Sequence, residues 1–168
     1  MPGYLAMTDA RWAGLLQSSK LADEINFWSP CDRPLRNDIT GSRIYFYSEP
    51  PGLGKRRVVG FGNVGDVYVT SVVDAWNKFG ERNGAKTLLI FLKLLNEDRL
   101  KTVGSRSLSE ASLIACHTLL DVHWLPDPAD LDDVDIIVKR GTQRGRALTN
   151  DEEARLHRVC MERLESRI

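Results

Sequence analysis

The chain has 168 residues, 42% hydrophobic and 27% charged, which is the balance of a soluble globular domain large enough to bury a core without disulfides or metals. Lys and Arg together number 23, as do Asp and Glu, so no overall field draws the protein to nucleic acid, and such a role needs a local patch. The longest apolar run, Leu88 to Leu92, is too short to cross a bilayer; the N-terminal MPGYLAMTDARW has no secretory pattern; and Cys31, Cys116 and Cys160 have no C-x-x-C spacing, so we expect a cytoplasmic protein with reduced thiols, no metal and no membrane partner.

YLAM predicts a first strand, followed by a helix capped by Thr8 or Asp9 whose Trp12, Leu15 and Leu16 recur at helical spacing. EINFW is extended, and SPCDRP forces a loop. SRIYFYSE predicts a strand with Ile44, Phe46 and Ser48 on one side and Arg43, Tyr45 and Tyr47 on the other; PPGLGK is a turn, and RRVVGFGNVGDVYVT supplies one long bent strand or two paired ones. Ser71 with Asp74 opens a helix that presents Val72, Trp76 and Phe79 on one face and stops at Gly80. A second helix is predicted from about Lys86 to Lys101 by Leu88, Phe91, Leu92 and Leu95. SLIACHTLLDVHWLP reads as a late strand ended by Pro126 and Pro128. Asn150 to Arg167 reads as a closing helix with Thr149 and Glu152 as its capping box and an apolar stripe at Leu156, Cys160 and Leu164.

Gly60-Phe61-Gly62-Asn63-Val64-Gly65 matches the dinucleotide fingerprint G-x-G-x-x-G literally, and Glu81 stands where a ribose-binding carboxylate is expected. That fingerprint requires a helix at its third glycine, whose amides hold the pyrophosphate, whereas DVYVT after Gly65 is strongly β-prone. We therefore read a glycine-bent strand in which Gly60 and Gly62 remove side chains, either to turn a corner or to make room beside a pocket. GLGK at Gly52 to Lys55 is not a P-loop, because Glu49 and Arg56 occupy the positions that need glycine and Ser or Thr. Cys116 and His117 are adjacent, so on a strand they face opposite sides and cannot pair; they read as structural, and no catalytic constellation or cofactor site is evident.

Charge is segregated. Six basic residues, among them Arg33, Arg36 and Arg56, lie between Asp32 and Arg57 against three acids; VKRGTQRGR adds Lys139, Arg140, Arg144 and Arg146; and DPADLDDVD concentrates acids. Aromatic rings sit beside the basic loops: Phe27 and Trp28 precede SPCDRPLR, and Tyr45 and Tyr47 lie on the next strand. Rings for a base and guanidinium groups for phosphate are the chemistry of nucleic-acid binding. Trp12, Trp76 and Phe79, on helical apolar stripes, read as core.

TDARW, DEINFWSP, RPLR, IYFYSEPP, VVGFGNV, AWNKFGERNGA, HWLPDPADL and IIVKRGT, spanning Tyr4 to Thr142, resemble the PUA-like, EVE-related N-terminal domain that precedes the HNH nuclease in a group of bacterial restriction endonucleases. The resemblance implies an α+β fold, a small PUA-like β-barrel or strongly bent mixed sheet with peripheral helices, over residues 1–148, with residues 149–168 a C-terminal helix packed on it. It also implies a non-enzymatic reader of DNA, or of RNA, that flips a methylated or hydroxymethylated cytosine into an aromatic pocket. Carried over by position, Trp28 and Tyr47, with Phe27 alongside, are stacking candidates, and Asn26 or Asn83 is the edge reader. Arg33, Arg36, Arg56, Lys139 and Arg140 meet phosphate. The HNH residues themselves have no counterpart here, so a nuclease partner or another effector would do any cutting. A monomer or a homodimer is compatible with all of this. Two other readings predict different features: an enzyme on the same fold needs convergent titratable groups, for example Asp66, Glu81 or His117, and an interaction module needs the Leu156, Cys160 and Leu164 stripe exposed.

Overall fold

The structure, a computed structural model, describes residues 3–36, 39–49, 52, 54–102, 107–139 and 144–166, with the side chains of 99–102 left aside. The β-branched and aromatic runs form strands β1 (Tyr4–Met7), β2 (Ile25–Ser29), β3 (Arg43–Ser48), β4 (Arg57–Ser71), β5 (Leu113–Asp130) and β6 (Gly145–Ala147). They make one mixed sheet in the order β2-β5-β4-β3-β1-β6, in which only β1 and β3 run parallel. Among the described residues four helices accompany it, α1 (Ala10–Ser18), α2 (Val72–Phe79), α3 (Leu88–Thr102) and α4 (Asn150–Glu165), with 3-10 turns at Gly80–Asn83 and Leu131–Val134.

The helix ends follow their predicted chemistry. The Asp9 carboxylate accepts from the Arg11 amide, Ser71 Oγ accepts from the Asp74 amide at 3.1 Å, and Thr149 and Glu152 form a reciprocal capping box. TLLIFL, which taken alone also suits a strand, lies in helix.

Strand alternation buries both faces of the sheet. Ile44 and Phe46 of β3 join Trp12, Leu16, Ile25, Phe27 and Leu119 in one cluster, while Tyr45 and Tyr47 join Leu125, Leu156 and Cys160 in another. A third cluster lies under α2 and α3 and includes Phe91, Leu95, Ile114 and Cys116. Phe27 of β2 stacks on Phe46 of β3, centroids 5.8 Å apart at 17°, although β5 and β4 separate those strands in the sheet. Such a contact requires the sheet to curl onto itself, with α1 filling its concave side. Leu156 and Cys160 are fully buried, so the α4 stripe packs within this chain and is not an open docking face.

The curl originates in β4 and β5, whose ladder changes register three times. Two expectations are corrected here. A Cβ on Gly60 would lie 2.8 Å from the His123 carbonyl oxygen and 2.9 Å from the Trp124 ring, and one on Gly62 would lie 2.8 Å from the Val122 side chain. These glycines therefore admit the neighbouring strand, and no room is left there for a ligand. Nor do Pro126 and Pro128 end β5. They fall between the pairs Gly60–Trp124 and Val58–Ala129, where the ladder is interrupted and a missing N–H costs no bond. A third difference is β6, a three-residue edge strand inside a segment whose charges had masked it.

Gly84, within the AWNKFGERNGA stretch, has φ +82°, and a Cβ there would meet Trp12 Cδ1 at 2.1 Å. Gly84→Ala is expected to destabilise the protein by about 2 kcal/mol, through left-handed strain plus displacement of the indole. Urea unfolding measures this, and an unchanged midpoint would contradict the packing described.

Candidate functional site

Asn26, Trp28 and Asn83 come together on the convex face. Asn26 Nδ2 donates to Asn83 Oδ1 at 2.8 Å and to Cys116 Sγ at 3.3 Å, and the Trp28 indole N–H donates to the Asn83 carbonyl at 2.8 Å. The Asn83 amide in turn donates to the carbonyls of Ala75 and Gly80. Asn83 is thus fully engaged in tying the 3-10 turn after α2 to β2. Trp28 is half-buried, edge-on to Phe91 at 5.9 Å. Phe27 points the other way, into the concave core against Phe46.

Tyr47 lies elsewhere. It is 1% exposed, in the cluster beneath α4, and burial pushes its phenol pKa up. The rings of Tyr47 and Trp28 belong to separate clusters, so the structure does not bring them to one stacking site. Arg56 accompanies Tyr47: its Nη1 donates to the Val138 carbonyl at 2.5 Å and its Nε is 3.6 Å from Glu49. Lys139 follows Val138 and is exposed, and Arg140 lies outside the described residues. Asp66 and Glu81 are exposed whereas His117 is buried.

The remaining predicted cations, Arg33 and Arg36, are exposed on the loop after β2, beside a feature the sequence reading passed over. β2 and β6 are at opposite ends of the sheet order, yet the curl brings the end of one to the start of the other. Arg144 spans that gap. Its guanidinium donates to Ser29 Oγ and to Cys31 Sγ, the latter at 3.1 Å, while its carbonyl accepts from the Met7 amide of β1 at 2.9 Å. The residue holds φ +68°, a left-handed conformation uncommon outside glycine. Gly145 follows because a Cβ there would overlap the Leu5 carbonyl, at 1.9 Å.

Two tethers set the arginine loop. The Cys31 carbonyl accepts from the Ala115 amide at 2.7 Å, and the Leu35 amide donates to His117 Nε2 at 3.0 Å. Because Nε2 accepts, the His117 proton sits on Nδ1, which donates to the Phe27 carbonyl at 2.7 Å. Arg33 therefore projects from a loop fixed on both sides. Burial, assisted by the Arg144 charge, lowers the His117 pKa to about 4, so the neutral form that this geometry requires is the one present at neutral pH. Burial also raises the Tyr4 phenol pKa, against the pull of Arg36 and Arg144. Partial burial opposes ionisation of Cys31, but hydrogen bonding and the Arg144 charge outweigh it and the thiol pKa falls. Arg144 stood in the RGR run, where composition marked only a charge. His117 read as a structural group, and its tether to the loop depends on contacts distant in sequence.

No family model matches the sequence, and no curated protein matches it. Among solved structures, the chain is similar to an ASCH protein from Zymomonas mobilis, with TM-score 0.63 at 14% identity over 94% of this chain and 95% of that one. It is also similar to the N-terminal domain of Staphylothermus marinus McrB, with TM-score 0.61 at 12% identity over 92% of each chain. At these identities the likeness is one of fold: an α+β, PUA-like architecture with a strongly bent, non-closed mixed sheet and peripheral helices.

His117 gives a pH prediction. Its folded-state pKa lies below the ordinary 6.5, so between pH 6.5 and 4 the unfolded chain binds a proton that the folded chain refuses. The stabilisation is complete above pH 6.5 and is lost as pH falls towards 4, by about 3 kcal/mol in all. In urea unfolding from pH 7 to 4, His117→Gln should shed the part of the slope that corresponds to one proton. Parallel pH profiles for the two proteins would refute the assignment.

Proposed function

We propose that the chain is a non-catalytic nucleic-acid-binding module that docks phosphate on the tethered loop after β2 and reads a base beside it, with DNA bearing a modified cytosine as the preferred ligand. The observation that carries this reading is that Arg33 projects from a backbone tethered at Cys31 and Leu35, with Arg36 directly after the second tether, on the loop that leaves β2 after the half-buried Trp28 and is held to Arg144 through Cys31. A tethered backbone lowers the ordering cost of presenting guanidinium groups to phosphate oxygens. A net charge of zero leaves recognition to this local patch.

Base reading adds a stricter requirement. Extruding a base costs a few kcal/mol, which stacking and edge hydrogen bonds must offset. Trp28 is the aromatic of the predicted set placed beside the loop and not fully buried. Any role in restriction would leave cleavage to another polypeptide or another part of the same one.

Fluorescence anisotropy with matched unmodified and cytosine-modified duplexes, over a series of salt concentrations, tests this reading. Affinity should fall steeply with salt. Arg33→Ala and Arg36→Ala should weaken both duplexes alike, each by a few-fold to about tenfold, and flatten the salt slope by about one unit. Trp28→Ala should reduce the preference for the modified duplex. Failure to bind either duplex at low salt would sink the proposal.

A further inference from the structure

The second half of β4 has one partner strand where the first half has two. Pairing with β3 runs from Ser48–Arg57 to Arg43–Asn63. It ends on the turn ahead of β3, where the Val64 amide donates to the Ser42 carbonyl at 2.9 Å and the Val64 carbonyl accepts from the Gly41 amide at 2.8 Å. On the other side β5 stays alongside as far as the pair Ser71–Leu113. From Val67 to Ser71 the edge of β4 that faces away from β5 makes no backbone hydrogen bond among the described residues.

Two bonds fix which groups line that edge. The Ala115 amide donates away from β4, to the Cys31 carbonyl at 2.7 Å, and the Val72 amide donates towards β5, to the Ser112 carbonyl at 2.9 Å. Backbone groups alternate sides along an antiparallel ladder, and Val69 stands opposite Ala115. Both bonds therefore turn the N–H and C=O of Val67, Val69 and Ser71 outward. Guarded edges carry Lys, Pro or another charge; VYVTS, residues 67–71, has none of these and is strongly β-prone. Val69 is 41% and Leu113 53% exposed. They share one face at diagonal positions, because Val69 pairs with Ala115 and Ser71 with Leu113. Such an edge is a template for another extended chain.

We propose that this edge is a self-association surface, closed by the same edge of a second copy of the chain in an antiparallel pair about a twofold axis at Val69. Across that axis Val69 faces Val69, Val67 faces Ser71 and Tyr68 faces Thr70, so the outward backbone groups of both copies become bonded. An aromatic opposite a β-branched residue, as in Tyr68 with Thr70, is a pairing that stabilises antiparallel sheets. Charge favours the same partner. Asp66, the nearest charge on the strand, comes opposite Val72, where α2 begins behind its Ser71 cap, and a helix N-terminus favours a carboxylate. The two Asp66 carboxylates stay about 20 Å apart along the strands. Residues 67–71 carry no charge that would select an unlike strand. A strand pair of this length is a small interface, so the dimer is weak and reversible. Neither Arg33 nor Arg36 takes part, and the pairing is independent of nucleic-acid binding.

Sedimentation velocity of the full chain under reducing conditions, from about 5 μM to about 0.5 mM, tests the inference. The weight-average mass should rise with concentration from monomer towards dimer. Val69→Pro deletes an N–H that has no bond within the chain. At low concentration it should keep the circular dichroism of the parent, while self-association weakens by about tenfold or more. Val69→Lys places two ammonium groups at the axis without altering the backbone. It should weaken association likewise, with part of the loss restored by salt, and it decides the matter where the proline variant fails to fold. Val69→Thr, which keeps a β-branched residue, should leave association within about twofold of the parent. A chain that remains monomeric up to about 0.5 mM overturns the inference, as does a dimer that neither Val69→Pro nor Val69→Lys weakens. A monomeric chain that binds the synthetic peptide GDVYVTS would give the edge to another polypeptide and overturn the second copy as its occupant.

Discussion

Everything in this structure depends on the pairing of β4 with β5, two strands of 15 and 18 residues. Twist accumulates along a ladder of that length, and at Gly60 and Gly62 the two backbones approach more closely than any Cβ would permit. The sheet therefore coils until β2 and β3, which flank this pair, face each other through Phe27 and Phe46. One consequence is that the alternation along β3 has no solvent side. Ile44 and Phe46 bury inward, Tyr45 and Tyr47 bury outward under α4, and the chain uses both faces of one sheet as separate cores.

The same coiling positions the arginine loop after β2. Edges far apart in strand order meet, and the meeting is held by a single guanidinium between Ser29 and Cys31. A left-handed arginine costs of order 1 kcal/mol or more, and a charge-assisted contact to two polar groups offsets a cost of that size. The loop from Cys31 to Arg36 is consequently ordered by contacts to β5 and β6, not by its own turn chemistry. His117 contributes because it is neutral and buried. A protonated imidazole would present a second donor to the Leu35 amide where an acceptor is needed.

The elements were legible in the sequence wherever a local rule governs them. Caps at Asp9, Ser71 and Thr149 and the periodicities of α1, α2 and α4 depend on residues within a turn or two. The site was less legible because it is built from pairs separated by about a hundred residues, such as Arg144 with Ser29 and His117 with Phe27. Residue chemistry pointed to aromatics and arginines close to one another in sequence. It could not say that Trp28 and Tyr47 would settle in different cores, because alternation assigns a face but not the helix that covers it. Asn83 shows the same limit. Its type suits edge reading, yet its amide is taken up by the 3-10 turn it stabilises.

The three glycines of the fingerprint-like run separate along the same physical line. A glycine makes room, and what takes the room depends on the register of the adjacent strand. At Gly60 and Gly62 the ladder presents His123, Trp124 and Val122, which fill the space completely, so the glycines act on curvature. At Gly65 the ladder slips, and a Cβ would lie 3.3 Å from Leu120 Cδ1 and 3.5 Å from the Thr118 carbonyl oxygen, a looser fit than at the first two glycines but still against the neighbouring strand. A motif that resembles a phosphate cradle thus consists of glycines that let β4 and β5 approach and coil, with the tightest contacts at Gly60 and Gly62.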